Sequence, residues 1–305
     1  MTKRIFAPAL AGTVAACLIA GADAHAADLS AVIAPAGPIA APASLMPDHA
    51  FFGGVGLGVG YSDFTDQYLY AQGVSLISQG GVPYAYGSAG GSTTPNAGSD
   101  WTLTPTAQFG YFQELPGTGW VVGGKLAYSY LGASSTADHV AVPQAGSFTG
   151  PSPASFTGNV LVRSYETKIN QQIALTPFVG RAYSRGFVYF GAGPSIAQTE
   201  TNLNDVYGFA DINGTHYDIT GQAANYSSSS WNWGGTLTAG GTYFITKDWF
   251  LDTSYAVNFT QKSHGEFASP FSTSAAGFDD KGILSGNFSG GVTTQTVTIS
   301  INRAL

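Results

Sequence analysis

The chain has 305 residues with only 10% charged, against about 25% in ordinary soluble domains, and a mean hydropathy of +0.08. No run of about 18 apolar residues follows the N-terminal segment, which excludes a bundle of transmembrane helices. The 41 glycines have no three-residue period and aromatics make up 13%, which excludes collagen and a disordered chain; a net charge of −7 without a Lys/Arg cluster argues against a nucleic-acid partner.

Residues 1–26 have the make-up of a secretory signal peptide. Lys3 and Arg4 form the basic start, an apolar stretch follows, and Ala24-His25-Ala26 is a small-x-small cleavage site. Val14-Ala15-Ala16-Cys17 offers lipidation at Cys17 as the alternative processing. Cleavage after Ala26 removes Lys3, Arg4 and Asp23 from the 11 basic and 18 acidic residues, leaving 9 and 17 and a net charge of −8. It also removes the one cysteine, and with it thiol chemistry and Cys-ligated zinc. Residues 27–49 are rich in Ala and Pro; the prolines break a helix, so a semi-extended periplasmic leader is expected before a barrel at 50–305.

From Phe51 the pattern has period two, in eight segments of about a dozen residues. The first sets Phe51, Val55, Leu57, Val59 and Tyr61 against Gly54, Gly56, Gly58 and Gly60. The second sets Trp101, Leu103, Phe109 and Tyr111 against Thr102, Thr104 and Gln108; the third sets Trp120, Val122, Leu126, Tyr128 and Tyr130 against Lys125, Ala127 and Ser129. The fourth, at 161–181, groups Tyr165, Ile169, Ile173, Leu175 and Val179 against Glu166, Lys168 and Gln172. The fifth starts at Phe187, with Val188, Phe190 and Ile196 opposite Gly191 and Ser195; the sixth carries Trp231, Trp233, Leu237 and Tyr243. The seventh sets Trp249, Leu251, Tyr255, Val257 and Phe259 against Asp252 and Ser254, and the eighth sets Val297, Ile299 and Ile301 against Thr298 and Ser300.

Long connections at 63–99, 132–160, 200–229 and 262–291 alternate with short ones at 113–119, 182–186 and 246–248. Long loops at one end and tight turns at the other are the asymmetry of an outer-membrane barrel, and an open sheet is not viable in lipid. The expected fold is all-β: an eight-stranded antiparallel up-and-down transmembrane barrel with short periplasmic turns and four long, mobile extracellular loops. Trp120, Tyr243 and Trp249 would form one interfacial girdle, and Tyr61, Trp101, Tyr130, Tyr165, Trp231 and Phe259 the other.

The Ala27-Asp28-Leu29 start, the strand Phe187-Val188-Tyr189-Phe190-Gly191-Ala192-Gly193-Pro194, and the hairpin Tyr243-Phe244-Ile245-Thr246-Lys247-Asp248-Trp249 running into Leu251-Asp252-Thr253-Ser254-Tyr255 carry a resemblance. Over residues 27–305 the chain resembles the small outer-membrane proteins related to the OmpA transmembrane barrel, in particular surface proteins of alphaproteobacteria and the porin-family type. The resemblance implies an integral outer-membrane location in a Gram-negative bacterium, a monomer, lipid and lipopolysaccharide around the barrel, and roles in envelope integrity or surface contact. It does not imply OmpA's peptidoglycan anchoring, since no such domain follows the last strand. Family members commonly end in Phe, which the barrel-assembly machinery reads; Leu305 keeps the apolar character and weakens that signal.

Four charges are assigned to the lumen: Lys125, Glu166, Lys168 and Asp252. A lone charge in a packed barrel is costly, so Lys125 is expected to meet Asp252, either as a structural plug or as the gate of a narrow ion path. Ser263-His264 with Glu266 is the one cluster that tempts an enzymatic reading, a lipid-modifying site at the rim; His139 and His216 lie in other long loops. No catalytic residue, cofactor or metal is expected. The loop acids, including Asp63, Asp66, Asp138, Glu200, Asp205, Asp211, Asp218, Asp279 and Asp280, are taken as a solvated rim, with divalent cations shared with lipopolysaccharide as the alternative. Asp211-Ile212-Asn213-Gly214 echoes a calcium loop only faintly, and the glycines of 54–60 precede no helix that a dinucleotide site would need.

Overall fold

Strict alternation gives a strand one face for lipid and one for a lumen, and lipid leaves no backbone group unpaired. The computed structural model describes residues 45–305 apart from 152, 213 and 276; the signal-peptide segment, Cys17 and most of the leader lie outside the described residues. Eight strands build the ring: β1 (His49–Gln79), β3 (Ser99–Leu115), β4 (Trp120–Thr149), β5 (Ala154–Tyr183), β6 (Gly186–Ile212), β8 (Ala224–Phe244), β9 (Trp249–Thr260) and β11 (Phe278–Ala304). Each pairs antiparallel with the next, and β11 returns onto β1 from Phe52↔Ala304 to Gln79↔Phe278. Tight turns at 116–119, 184–185 and 245–248 mark the periplasmic end. The chain is a transmembrane β-barrel.

Outer-face aromatics recur ten positions apart: Phe51 and Tyr61, Trp101 and Tyr111, Trp120 and Tyr130, Trp233 and Tyr243, Trp249 and Phe259. Ten strand residues span roughly 33 Å, or about 25 Å of height at the usual barrel tilt, which is the height of a membrane barrel's apolar band. Between the two rings Val55, Leu57, Leu126, Leu175, Leu237 and Ile299 stand exposed, a surface that lipid covers. The closing seam is tight: a Cβ at Gly56 would lie 2.7 Å from the Ile299 carbonyl oxygen and the Ser300 Cβ.

The four long connections fall where the sequence places them, but they are strand rather than mobile loop. β1 runs on to Gln79 and folds back as β2 (Val82–Thr93); β4 and β5 stay paired up to Phe148↔Ala154; β7 (Thr215–Asp218) folds onto β6; β10 (Ser263–Ala275) pairs with β11. From Ser62 to Gln79 the wall continues for ~18 residues, a tower on the order of 45 Å above the bilayer at the same tilt.

The wall inverts its polarity where the solvent changes. In the middle of the membrane section the inward side chains are polar, among them Thr176, Thr236 and Thr296; in the tower they are apolar, with Leu69, Val142, Val160, Val162, Leu203 and Phe288 forming a closed core. Bulges switch the faces. Registers shift between Asp63 and Asp66 on β1, between Ile169 and Gln171 on β5, and between Leu203 and Val206 on β6, where Asp205 has φ 52°. On β4 and β5 the ladder passes over His139, at φ 55°, and Arg163 opposite it, without a register shift, and both strands change face there. Each extra residue turns the following side chains to the other face.

Candidate functional site

The lumen is filled in layers. At the periplasmic end Phe52, Phe112, Phe178, Phe187, Phe244 and Phe250 point inward and are all at most 7% exposed. Their rings pack closely, with Phe112–Phe187 centroids at 5.2 Å and Phe244–Phe250 at 4.8 Å, and Leu45 and Met46 join from below. A buried Phe contributes about 1.5–3 kcal/mol through its area, so the plug is a major stabilising element as well as a seal. Sequence reasoning missed it. The signal is a set of doublets, Phe51-Phe52, Tyr111-Phe112, Tyr243-Phe244 and Trp249-Phe250, in each of which the second ring faces the lumen.

Above the plug lies a polar layer. Lys125 on β4 and Asp252 on β9 come from opposite walls of the ring, and Nζ meets Oδ2 at 3.2 Å with both side chains buried. Lys125 Nζ also donates to the Tyr189 hydroxyl at 2.7 Å, and that hydroxyl donates to Asp252 Oδ1 at 2.8 Å. Gln108 Nε2 donates to Asp252 Oδ2 at 3.2 Å and to Asn302 Oδ1 at 2.7 Å. Both charges are therefore paired and hydrogen-bonded, which is what burial of an ion pair requires. Over this layer Phe64, Leu131, Ile169 and Val292 close the lumen again at the outer-leaflet level.

Glu166 and Lys168 are not lumen charges. They pair with each other at 2.9 Å on the outer face of β5, beside Glu200 and Asn202 of β6, because the bulge before Gln171 reverses the alternation on which the assignment rests. The same bulge turns Tyr165 away from the expected girdle. It is fully buried in the tower, where its hydroxyl donates to Gln67 Oε1 at 3.1 Å.

Trp101, Trp120, Tyr130, Trp231, Tyr243, Trp249 and Phe259 stand on the outer face, between 42% and 63% exposed. Arg181, Arg185 and Arg303 lie over Trp120, Tyr243 and Trp249 at 5.5 to 6.0 Å, placing cations at the periplasmic headgroup level. Leu305 is exposed, and its N–H donates to the Phe51 carbonyl at 2.8 Å, so the last residue sits on the closing seam.

The rim cluster does not assemble. His264 and Glu266 share the outer face of β10, whereas Ser263 points inward and donates to the Gly290 carbonyl at 3.1 Å. His216 pairs with Asp211 at 3.0 Å on the β6–β7 hairpin. Among the described residues no three His, Cys, Asp or Glu side chains gather as metal ligands do. One rim acid departs from its expected place: Asp280 faces the tower interior, half-buried, with Oδ1 lacking a hydrogen-bond partner.

No family model and no curated protein matches the chain. Solved outer-membrane proteins align with it at low identity. The outer membrane protein OprG from Pseudomonas aeruginosa is 10% identical, covering 86% of this chain and 99% of its own, with a TM-score of 0.35. Ail, the attachment invasion locus protein of Yersinia pestis, is 12% identical over 79% of this chain and 98% of its own, with a TM-score of 0.24. The outer membrane protease OmpT from Escherichia coli is 12% identical over 84% and 97%, with a TM-score of 0.21. At TM-scores this low the likeness carries no argument about fold or activity.

Proposed function

We propose that this chain is a non-enzymatic surface protein of a Gram-negative outer membrane: a sealed, monomeric barrel of the OmpA-barrel-like type that holds a rigid β-tower out for contact with a neighbouring surface. The filled lumen carries this reading. An aromatic plug, a satisfied ion-pair layer and an apolar layer lie in series along the barrel axis. Two apolar layers packed across the axis weigh against the narrow-channel alternative. The split of Ser263 from His264 and Glu266 weighs against a rim enzyme.

The tower supplies the contact surface. Near its tip Val74, Tyr86 and Ile283 stand 41%, 60% and 47% exposed on one outer face, far above the lipid. Paired exposed apolar side chains away from the membrane mark an interaction surface. The Glu166–Lys168 pair and Glu200, just above the outer aromatic ring, meet the lipopolysaccharide headgroup zone. No cofactor enters this function; outer-membrane lipid, lipopolysaccharide and, during biogenesis, the barrel-assembly machinery are its partners.

The test is attachment of whole cells to host-cell and abiotic surfaces. Cells displaying Tyr86→Ser with Val74→Ser should attach less than cells displaying the unaltered chain at equal surface level. Equal attachment removes the contact role. A stepwise ionic conductance from the unaltered chain in planar bilayers supports the channel instead.

A further inference from the structure

All four hairpin extensions converge near the tip on one partly open cavity of about 60 Å³. Its wall is mainly apolar: Phe148 and Phe156 from the β4–β5 hairpin, Phe271 and Leu284 from β10–β11, and Ile219 from the segment after β7. That segment is laid from β6 toward β10. Gly208 N–H donates to Thr220 Oγ1 at 2.9 Å, and the Ile219 and Thr220 N–H groups both donate to the Gly208 carbonyl.

Two acceptors in the wall have no partner. Gln144 is 94% buried, and its Nε2 is used on the Ala71 and Val142 carbonyls at 3.2 and 3.3 Å, which leaves Oε1 unbonded. Asp280 Oδ1 is likewise buried and unbonded, although the Ser75 hydroxyl lies against the same carboxyl. Asp280 is the one ionisable side chain among those lining the cavity. An unmet acceptor and an uncompensated carboxylate in an apolar wall call for a donor, and a cationic one.

We infer that this cavity is a binding site for a short primary alkylammonium, its –NH₃⁺ held by Asp280 and Gln144 and its stem packed among Phe148, Phe156 and Phe271. The cavity holds about two water-sized groups, enough for the ammonium head, and its open side leaves room for a three- or four-carbon stem. Water fits less well, because each buried water needs two to four polar partners and most of this wall offers none. An ammonium supplies three donors at one end and apolar surface at the other, and the flanking rings favour a cation.

The test is calorimetric titration of the full chain, folded in detergent micelles at neutral pH, with n-butylammonium and with n-butanol and butyrate as probes of equal length. Saturable binding is expected for n-butylammonium, at least about tenfold weaker binding for n-butanol and none for butyrate, with Asp280→Asn weakening n-butylammonium about tenfold or more. Absence of n-butylammonium binding, equal binding of n-butanol, or affinity unchanged in Asp280→Asn overturns the site. In the unaltered chain the ¹³C resonance of the Asp280 carboxyl should move with the same midpoint. A resonance that stays still as n-butylammonium saturates overturns it whether or not the variant folds.

Discussion

Lys125 and Asp252 face each other from opposite walls of the barrel, 3.2 Å apart, directly above a plug of six phenylalanines. The pair is buried and satisfied by Tyr189 and Gln108, so it acts as a strut across the lumen. Replacing Lys125 with Met leaves Asp252 charged and unpaired, and should cost about 3–5 kcal/mol in urea unfolding from vesicles. Lys125→Met with Asp252→Leu should recover much of that loss. Bilayer conductance should stay unchanged in the single variant, because the aromatic plug still blocks the path. A conductance rise would identify the pair as a gate.

The plug itself can be weighed through Phe112, fully buried with Phe52, Phe187, Phe244 and Phe250 around it. Phe112→Ala should destabilise the barrel by about 3–5 kcal/mol, measured by the same unfolding transition. A loss under about 1 kcal/mol would mean that the phenylalanines do not pack as a unit.

Two glycines on β1 separate curvature from flexibility. A Cβ at Gly56 meets the Ile299 carbonyl and Ser300 at 2.7 Å, whereas a Cβ at Gly73 has nothing within 4 Å. Gly56→Ala should cost roughly 1–3 kcal/mol and slow closure of the β1–β11 seam, and Gly73→Ala should be neutral or slightly stabilising. The shift between folded and unfolded bands in unboiled samples reads both.

The membrane section was legible because lipid enforces one unbroken alternation from Phe51 to Tyr61, Trp120 to Tyr130 and Trp249 to Phe259. The tower was not, because its bulges change the phase. Tyr165 and Ile169 share a parity with Ile173 and Leu175 in sequence, yet the first two face inward and Leu175 faces lipid. One inserted residue beside Gln171 does this, and nothing in the local composition announces it. Asp252 and Lys125 were readable as partners because both sit on uninterrupted strands at one height; Glu166 and Lys168 lie beyond the bulge, and their assignment failed with it. The Phe plug lay in plain view as aromatic doublets, whose second members break the expectation of a polar lumen. Asp280 looked like one more rim acid because its inward turn depends on a ladder that looked like loop.

Asp280 gives the tower a pH dependence. Burial raises its carboxyl to about 6, against a smaller opposing effect of the Ser75 hydroxyl. An acid raised on folding stabilises the folded tower fully below the ordinary Asp range, and that share is lost as pH rises through about 6. A ¹³C carboxyl titration should show a midpoint near 6, and Asp280→Asn should remove the fall in tower protection between acid and neutral pH. A midpoint in the ordinary Asp range would place this carboxyl in water.

The central claim is that the chain above the outer aromatic ring is an ordered tower with an apolar core rather than a crown of loops. Amide hydrogen exchange of the full chain in micelles tests it most directly, strand by strand. Backbone amides of Leu69 to Leu76, Val140 to Val142, Val160 to Val162 and Leu203 should be protected by orders of magnitude, as those of the membrane section are. Exchange of these amides at the rate of an unstructured chain would contradict the tower and return the four connections to loops.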